Sequence, residues 1–448
     1  MISPTRPSRL RVLIIAYDFS PILGSEAALG WNVSTRLARK HDVTVVCATT
    51  NQLGTADHRE AYAQHVAQNG PIPGLQVVFV DPPHDARKCA DLNRRFFSVS
   101  DGVGFWPLFY RGLRAWHREA RAAIQRMGID RFDLVHHLTP LAFWGVSCAY
   151  DLGIPFFWGP VSGVDEPILS FSRWLGWKNL IREMLRAAVN SAQTKVMRRI
   201  RCAAGVASHI WVVTDQDERL FRSWASHRVS RMVEQSGPDG VQGRIREIRS
   251  PETLRLCWSG NHTNRKALPL LLEAIAALKT DVCKVELSVL GEGPETLQWR
   301  TLANRLCLAN VKWHGRLGRP DALRVMDESH VLVHTSLREG TPGVILEALS
   351  LGMPVICHDA CGMATAINES CGIKVPMVHP HRSVAGFAQA LARLIDRPAE
   401  VASLSAGALV RAGELSWDAK ADEIAAMYET AMGRSEARKG SLAPVLAD

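Results

Sequence analysis

A short apolar strand, a turn of small residues and a helix follow one another in VLVHTSLREGTPGVILEALS, residues 331–350. The run Val331–Thr335 is of the buried-strand type, and two carboxylates, Glu339 and Glu347, flank the turn at a spacing of eight residues. The turn and the first helical turn have free N–H groups, and the helix dipole adds positive potential there. The stretch therefore predicts a βα unit that binds an anion such as a diphosphate, with Glu339 on the loop and Glu347 about two turns into the helix. A purely structural role, in which Glu339 stabilises the first helical turn and Glu347 forms a buried ion pair, is the alternative.

The same alternation of apolar strands and helical segments extends outward along the chain. Continuous apolar runs separated by helices indicate parallel sheets that are covered on both faces. A charged stretch with several Gly and Pro residues at 236–251 lacks this periodicity and indicates a linker. We therefore expect an α/β protein of two doubly wound, Rossmann-like domains that face a cleft, at residues 1–235 and 252–415. A C-terminal helix and tail at 416–448 follow, and the helix is placed to cross back to the first domain. The predicted strands are residues 10–16, 43–48, 75–80, 134–137, 155–158, 209–214, 254–258, 285–290, 311–314, 331–335 and 354–357.

Composition restricts the kind of protein. The chain has 448 residues, of which 47% are hydrophobic and 22% charged, and this excludes fibrous and wholly disordered proteins. The formal net charge of +9 allows an anionic partner without defining it. Ten cysteines without a C-x-x-C pair predict reduced thiols and a reducing, cytoplasmic location. The most membrane-like stretch, residues 134–164, is interrupted by Pro140, Pro155 and Pro160, so no membrane span is expected.

The stretch around Glu339 and Glu347 resembles the E-x7-E signature of the retaining glycosyltransferases of family 4, the glycosyl transferases group 1, which have the two-domain GT-B fold. Residues 352–356 and Gly362 resemble the "G-x-P-V…G" continuation of that signature. The resemblance implies that Glu339 contacts the donor sugar and that Glu347 binds the ribose of the nucleotide. It makes the first domain the acceptor side and the second domain the nucleotide-sugar-binding domain. It also places backbone amides beside the donor phosphates, at Gly340, Thr341, Pro342, Gly343 and Val344.

Two adjacent cations, Arg265 and Lys266, lie at a strand–loop–helix junction, where they suit a diphosphate; a solvated helix start is the alternative. The segment resembles the family's "G-R-x…K-G" motif, and Lys266 falls on the family's lysine. Asn261 occupies the family's arginine position, and Ala267 replaces the usual glycine. We expect Arg265 to supply the missing charge. A second strand end, at residues 314–317, resembles a family segment near the nucleotide base and makes Leu317 a donor-binding candidate.

In the first domain, Gly24 and Ser25 follow the first strand and resemble the family's "P…G-G-x-E" loop, which lies under the donor diphosphate. Ser25 occupies the position of the second glycine. The segment at 133–140 resembles a strand end where a histidine faces the anomeric carbon, so His136 and His137 are both catalytic candidates. Strand alternation places His136 and Leu138 on one face of the sheet and His137 on the other, and it leaves open which of them enters the cleft. A structural histidine is the alternative for each.

The resemblance implies a retaining glycosyltransferase that moves a sugar from a nucleoside-diphosphate donor to an acceptor hydroxyl, without a metal or another cofactor. Arg265 and Lys266 would stabilise the departing diphosphate. The motif Asp215-Gln-Asp217 matches a metal-binding D-x-D pattern, but capping of the following helix explains it better. The alternatives are a nucleotide-sugar epimerase or a glycosyl phosphorylase on the same fold, or a non-catalytic nucleotide- or nucleic-acid-binding protein. Against nucleic acid, the basic residues are not interleaved with aromatic residues.

Residues 173–201 form the most basic part of the chain, with eight Lys or Arg and one acidic residue, Glu183. One interpretation is a core-facing helix with a solvated basic side, and the other is a helix that lies on an anionic membrane surface. By analogy with the lipid-linked acceptors of the family, the second implies peripheral membrane attachment and a lipid-linked glycan acceptor, as in surface polysaccharide assembly. The apolar face of this helix would be Trp174, Trp177, Ile181, Met184, Leu185 and Ala188, flanked by Lys178, Arg182 and Arg186.

Overall fold

Two parallel sheets with helices on both faces form the two halves of the molecule in this computed structural model. The structure describes residues 9–97, 104–164, 169–171, 176–177, 180–181, 184–185, 187–189, 191, 198–249 and 253–441. This architecture confirms the doubly wound α/β fold that the sequence predicts.

The first sheet has the strand order β3-β2-β1-β4-β5-β6-β7, and its strands pair in parallel. The side chains of its central strand β1 are fully buried after Arg11, because helices cover both faces and successive residues alternate between them. Its strands are β1 (Arg11–Ala16), β2 (Asp42–Ala48), β3 (Leu75–Val80), β4 (Leu134–Thr139), β5 (Phe156–Val161), β6 (Ala207–Val212) and β7 (Val229–Arg231). Its helices are α1 (Ser25–Leu37), α2 (His58–Asn69), α3 (His84–Phe96), α4 (Trp106–Met127), α5 (Arg198–Val206) and α6 (Asp215–Ala225).

The second sheet has the strand order β10-β9-β8-β11-β12-β13, again in parallel. Its strands are β8 (Leu254–Ser259), β9 (Val285–Leu290), β10 (Val311–Gly315), β11 (Val331–His334), β12 (Val355–His358) and β13 (Gly372–Val375). The helices of this half are α7 (Leu268–Ala276), α8 (Thr296–Arg305), α9 (Arg319–Asp327), α10 (Gly343–Ser350), α11 (Cys361–Ala366), α12 (Pro380–Asp396) and α13 (Pro398–Glu414).

The last helix, α14 (Trp417–Ser441), packs on the first sheet. Trp417, Ala421, Ile424 and Tyr428 are buried in the same apolar cluster as β1 and β2 side chains. Their spacing of three to four residues places them on one helix face, which is the face that an amphipathic helix turns toward a core. The end of the chain therefore crosses back to the half where the chain began.

The described chain between β7 and β8 has neither helix nor strand, yet it is fixed to the second domain. The guanidinium of Arg246 is almost fully buried and donates to the carbonyl oxygens of Ser329 at 2.6 Å and Leu351 at 2.9 Å. It also forms an ion pair with Asp327 at 2.9 Å. This segment is therefore a structured connection rather than a free tether.

Most of the basic segment at 173–201 lies outside the described residues. Its described apolar side chains are solvent-exposed: Trp177 is 68%, Ile181 57% and Leu185 64% exposed. A core-facing orientation of these side chains is therefore wrong. No helix in the described ranges combines the length and the apolar character that a bilayer crossing needs.

Candidate active site

Loops of both domains meet at the carboxyl ends of the two sheets, where ligands bind in doubly wound folds. The connection between β7 and β8, which we call the interdomain segment, has two consecutive residues that contact one loop from each domain. Glu234 accepts hydrogen bonds from the backbone N–H and the hydroxyl of Thr341, both at 2.5 Å. The side-chain amide of Gln235 donates to the carbonyl oxygen of Ser25 at 2.9 Å. The donor-binding candidates of the two domains, Ser25 and Thr341, are therefore brought together.

Glu339 lies at the centre of a cluster of charged and polar side chains. Its Oε1 atom accepts hydrogen bonds from Arg265 Nη1 at 2.7 Å and from Ser336 Oγ at 2.9 Å, and it forms an ion pair with Lys266 Nζ. The side chains of Lys266 and Glu339 are only 11% and 13% exposed, whereas that of Arg265 is half exposed. The structure therefore brings together three candidates that the sequence assigned to two separate motifs.

The electrostatics of this cluster keep it ionised. Burial alone would raise the pKa of Glu339, but the charges of Lys266 and Arg265 outweigh burial and lower the pKa to about 2. Burial lowers the pKa of Lys266, and the attraction of Glu339 opposes this shift. Nearby His334 is fully buried, and burial together with the Lys266 charge lowers its pKa to about 3, so it is neutral. Two cations and one carboxylate leave one net positive charge for an incoming anion.

Helix α10 begins at Gly343, so Glu347 lies just over one turn into the helix and not about two turns as expected. The Glu347 carboxylate forms an ion pair with Arg319 Nη2 at 3.0 Å. Burial raises the pKa of Glu347, and Arg319 opposes this shift. Glu347 therefore has the ion-pair partner that the structural alternative supposed, but the pair is not buried, because the Arg319 side chain is 66% exposed.

The loop before α10 offers fewer amides than the sequence suggested. Pro342 is the N-cap residue of α10 and has no N–H group, and the N–H of Thr341 is already donated to Glu234. We expected the backbone amides of Thr341 and Pro342 to contact the phosphates. In this conformation neither residue has a free N–H group, so that expectation is wrong for both. Amides that precede the intrahelical hydrogen bonds remain at Gly340, Gly343 and Val344.

Two glycines allow this loop to be packed so tightly. A Cβ atom on Gly340 would lie 2.2 Å from Oε1 of Glu234, and one on Gly362 would lie 2.3 Å from the carbonyl oxygen of Gly340. A larger residue at position 340 would displace the Glu234 side chain, and one at position 362 would require a backbone shift. The glycine that the sequence motif places at 362 therefore supports the donor loop from behind.

Ser25 and Ala267, which replace family glycines, both have positive φ angles. Ser25 is the first residue of α1 with φ 56°, and Ala267 precedes α7 with φ 48° and ψ 40°. Residues with a Cβ atom adopt this left-handed region at a cost of about 1–2 kcal/mol. The backbone here keeps the conformation that glycine favours, although the side chains differ.

His136 and His137 are both enclosed in the protein. His136 Nδ1 lies 2.5 Å from the hydroxyl of Tyr428 on α14, and its Nε2 lies 2.7 Å from the carbonyl oxygen of Gly159. The His137 ring packs at 5.8 Å from the ring of His117 on α4, on the other face of the sheet. Burial lowers their pKa values to about 3 and about 4. The alternation predicted for them is correct, but both occupy structural positions, and His136 has no ring nitrogen left for a substrate.

Two further candidates have clear structural settings. Gly24 is the N-cap residue of α1, and the next acidic residue, Glu26, accepts a hydrogen bond from the Leu141 N–H at 3.2 Å. Burial raises the pKa of Glu26 to about 7, with a further contribution from the Glu234 charge. Leu317, half-buried, packs against the core of the second domain after β10.

Asp217 caps helix α6. It forms a capping box with Thr214, whose side chain accepts a hydrogen bond from the Asp217 N–H at 3.1 Å. The Oδ1 atom of Asp217 accepts a hydrogen bond from the Val164 N–H at 2.9 Å. In the described ranges, no set of three or more His, Cys, Asp or Glu side chains could hold a metal ion. The D-x-D motif therefore serves the helix start.

A cavity of about 230 Å³ that sequence reasoning missed lies beyond the carboxyl ends of β1, β2 and β3. Its wall includes Tyr17 after β1, residues 50–54 after β2 and Pro82 after β3. Side chains of α3 and α4 complete it, among them Arg87 and Arg94. No contiguous motif marks this cavity, because its wall comes from five separated segments.

Comparison with known proteins identifies the second domain. Residues 253–397 match the family model described as glycosyl transferases group 1. A D-inositol 3-phosphate glycosyltransferase of Thermomonospora curvata is 29% identical over 208 residues, which are 45% of this chain and 44% of that protein. The chain therefore matches less than half the length of this relative. A GDP-mannose-dependent alpha-mannosyltransferase of Mycolicibacterium smegmatis is 25% identical over 331 residues, which are 68% of this chain and 76% of that protein. These matches confirm the family resemblance that the E-x7-E signature predicts.

The fold has solved counterparts. The sucrose-phosphate synthase of Thermosynechococcus elongatus is similar with a TM-score of 0.60 over 95% of this chain and 100% of that chain, at 15% identity. At this level of identity the similarity concerns the fold alone. The chain has the GT-B architecture of two Rossmann-like domains.

Proposed function

We propose that this chain is a retaining glycosyltransferase that transfers a sugar from a nucleoside-diphosphate donor to an acceptor hydroxyl. The observation that carries the proposal is the cluster of Lys266, Arg265 and Glu339 beside the N-terminus of α10. Two cations and a helix N-terminus suit a diphosphate, and a carboxylate next to them suits sugar hydroxyls. The donor in the name of the mycobacterial relative, GDP-mannose, belongs to this class.

Donor binding requires an exchange of partners in this cluster. Lys266 and Arg265 now neutralise Glu339, and an incoming diphosphate carries more negative charge than one carboxylate. The cations turn to the diphosphate, and Glu339 becomes free to accept hydrogen bonds from the donor sugar. Because Lys266 is largely buried, its contact with the phosphate is shielded from water and correspondingly strong.

The chemical step needs stabilisation of the departing diphosphate. The bond between the anomeric carbon and the phosphate oxygen breaks through an oxocarbenium-like transition state, and negative charge accumulates on the leaving group. Lys266, Arg265 and the amides at the start of α10 stabilise this charge in a preorganised way. The leaving phosphate can take the proton of the acceptor hydroxyl, so no histidine is required. These cations carry the charge that a metal ion would otherwise carry, and we expect activity to persist in EDTA.

The direct test is a screen of UDP-, GDP- and ADP-sugars for binding and for transfer. Transfer should occur with at least one donor, and NMR of the first product should show the anomeric configuration of the donor. Inversion would contradict the retaining mechanism, and release of an epimerised nucleotide sugar without acceptor would favour the epimerase. If no donor binds, or if Lys266→Met leaves the binding of an accepted nucleotide unchanged, the site assignment fails.

We further propose that the protein works at an anionic membrane surface on a lipid-linked glycan acceptor, in surface polysaccharide synthesis within the cytoplasm. Exposed Trp177, Ile181, Met184 and Leu185 support this proposal, because they place large apolar side chains at the surface of a basic segment. Sedimentation with phosphatidylglycerol vesicles tests it. Binding should fall with salt and in Trp177→Ser/Leu185→Ser, whereas the exposed Leu297→Ser on α8 should bind as wild type. A protein that remains in the supernatant at low salt would restrict the acceptor to soluble molecules.

A further inference from the structure

A groove of about 500 Å³ lies on the first domain between α4, α5 and the segment at 145–148. Five arginines line it, and we call it the arginine groove. Helix α4 buries Trp116 and Ile124 in the core of the sheet, so its arginines lie on a different side of the helix. The arginines are Arg111, Arg114, Arg118 and Arg121 of α4 and Arg199 of α5.

The four arginines of α4 form one stripe. They follow one another at intervals of three, four and three residues, which places them on one side of the helix over about 15 Å. Like charges at these intervals repel one another and destabilise a helix by a few tenths of a kcal/mol per pair. In the described ranges, Asp85 is the one acidic residue that lines the groove, so its walls carry four net positive charges.

The protein neutralises this stripe only in part. Arg121 forms an ion pair with Asp151 and donates to the Cys148 carbonyl oxygen, and Arg114 donates to the Tyr110 hydroxyl at 2.7 Å. Arg111 and Arg118 are exposed, and neither has a hydrogen bond or an ion pair with any residue that the structure describes. Two guanidinium groups, on residues about ten Å apart along the helix axis, are therefore available to a ligand.

A second, independent observation is an unpartnered polar atom in the same wall. His117 is 94% buried and lines the groove between the arginines, and its Nε2 atom has no hydrogen-bond partner among the described residues. A buried polar atom without a partner is unfavourable by about 1–3 kcal/mol, so this wall is not fully satisfied by the described chain. The ring is neutral because burial lowers its pKa well below the usual value, so it adds no charge to the groove.

The groove is adjacent to the cavity beyond β1, β2 and β3. Both include Leu113 in their walls, and successive residues of α3, Asp85 in the groove and Ala86 and Arg87 in the cavity, line one or the other. That cavity lies on the side of the first domain where an acceptor would meet a donor bound in the second.

We propose that the arginine groove binds phosphate groups of the acceptor substrate, with Arg111 and Arg118 as their direct partners. The identification of the ligand as the acceptor rests on the proposed glycosyl transfer, whereas the anion site itself is inferred from the groove alone. Guanidinium groups bind phosphate oxygens in a bidentate way, and a stripe of about 15 Å accommodates two phosphate groups. The groove is separate from the Lys266 cluster, so the protein has one anion site in each domain.

The test uses inorganic pyrophosphate as the probe in titration calorimetry. Lys266→Met serves as the background, because it weakens the donor site and isolates the groove. In this background, Arg111→Gln/Arg118→Gln should weaken pyrophosphate binding at least about tenfold. The matched control, Arg126→Gln/Arg131→Gln, removes two exposed arginines outside the groove and should leave binding within about twofold. Equal affinity in the two double variants, or no pyrophosphate binding in the Lys266→Met background, would overturn the proposal.

Two further arms distinguish the source of the phosphate. Vesicles of phosphatidylcholine with phosphatidic acid should bind the wild type more than the groove variant if a lipid carries the phosphate. Glucose 1-phosphate should compete with pyrophosphate if the acceptor is a soluble sugar phosphate. If the vesicles do not bind the wild type more than the groove variant and glucose 1-phosphate does not compete with pyrophosphate, the proposal is overturned. Nucleotide titration of the same variants separates it from the proposed function, since the groove variant should bind nucleoside diphosphates as the wild type does.

Discussion

Replacement of Lys266 by methionine tests the donor site with the least change in packing. The side chain is largely buried, so a residue of similar length and no charge keeps the volume filled. The substitution removes one cation from a cluster of two, and Arg265 is left as the remaining partner of Glu339.

The loss of donor affinity follows from one charge-assisted contact. Such a contact contributes about 1.5–3 kcal/mol, which corresponds to a loss of about 10- to 150-fold in the affinity for a nucleoside diphosphate. An exposed ion pair would contribute at most about 1 kcal/mol, so the burial of Lys266 places the expected effect in the higher range.

The same substitution changes stability in a pH-dependent way. The pKa of Glu339 is lowered to about 2 from its ordinary 4.5, so its ionisation contributes stability that is present above pH 4.5 and is lost as pH falls toward 2. A shift of about 2.5 units corresponds to about 3 kcal/mol at pH 7, and less than half of this remains at pH 3. Lys266 is the largest of the causes that lower the pKa of Glu339, so Lys266→Met should destabilise the protein by about 1–3 kcal/mol at pH 7 and by clearly less at pH 3.

Urea unfolding at pH 7 and pH 3, together with calorimetric titration of the accepted nucleoside diphosphate, measures both effects. Lys284→Met is the matched control, since Lys284 is an exposed lysine of the same domain that also pairs with a carboxylate. The control should change stability by less than about 0.5 kcal/mol and leave nucleotide affinity intact. The reasoning is refuted if Lys266→Met binds nucleotide as the wild type does, or if its destabilisation is the same at both pH values.

Four other substitutions test further parts of the structure. Glu347→Ala should raise the Kd for nucleotide, while Glu339→Ala should lower kcat more than it changes that Kd; wild-type kinetics for both variants would remove them from the site. Ser25→Gly should raise the free energy of unfolding by about 0.5 kcal/mol, because relief of the positive φ exceeds the added entropy of the unfolded chain; thermal and urea unfolding measure this, and a loss of stability would contradict the strain. Asp217→Ala should lower the free energy of unfolding by about 1–2 kcal/mol through loss of the capping box, with kcat unchanged in the presence of EDTA or Mn²⁺; a metal-dependent loss of kcat would instead indicate a metal role.

The central strands of both sheets are predictable from sequence, and two edge strands are not. Strands in the interior of a parallel sheet are buried on both faces and give continuous apolar runs. The strands β7 (Val229–Arg231) and β13 (Gly372–Val375) have three and four residues, pair with one neighbour each, and contain polar residues. These two strands are stabilised by pairing with the neighbouring strand. Their own sequences contain no continuous apolar run from which a strand could be predicted.

The site shows the same division between local and distant causes. The positions of Glu339, Lys266 and the start of α10 follow from local strand–turn–helix units, which a motif can report. His136 illustrates the opposite case: alternation predicts its face correctly, but the helix that covers it begins 281 residues later in the chain, at Trp417. The structure therefore favours the structural alternative for His136, for a reason that no local pattern contains.

The interdomain segment connects the two halves of the site through its hydrogen bonds. Glu234 binds the donor loop of the second domain through Thr341, and its neighbour Gln235 binds the start of α1 through Ser25. Lys420 of α14 donates to the Gln235 carbonyl oxygen at 2.9 Å, and burial lowers its pKa to about 7, with Glu234 opposing this shift. The last helix therefore supports the segment that couples both donor loops, because any displacement of Gln235 is transmitted to both. A chain that folded its two sheets correctly but lacked α14 would keep every residue of the E-x7-E motif and lose the support that fixes the two loops relative to each other.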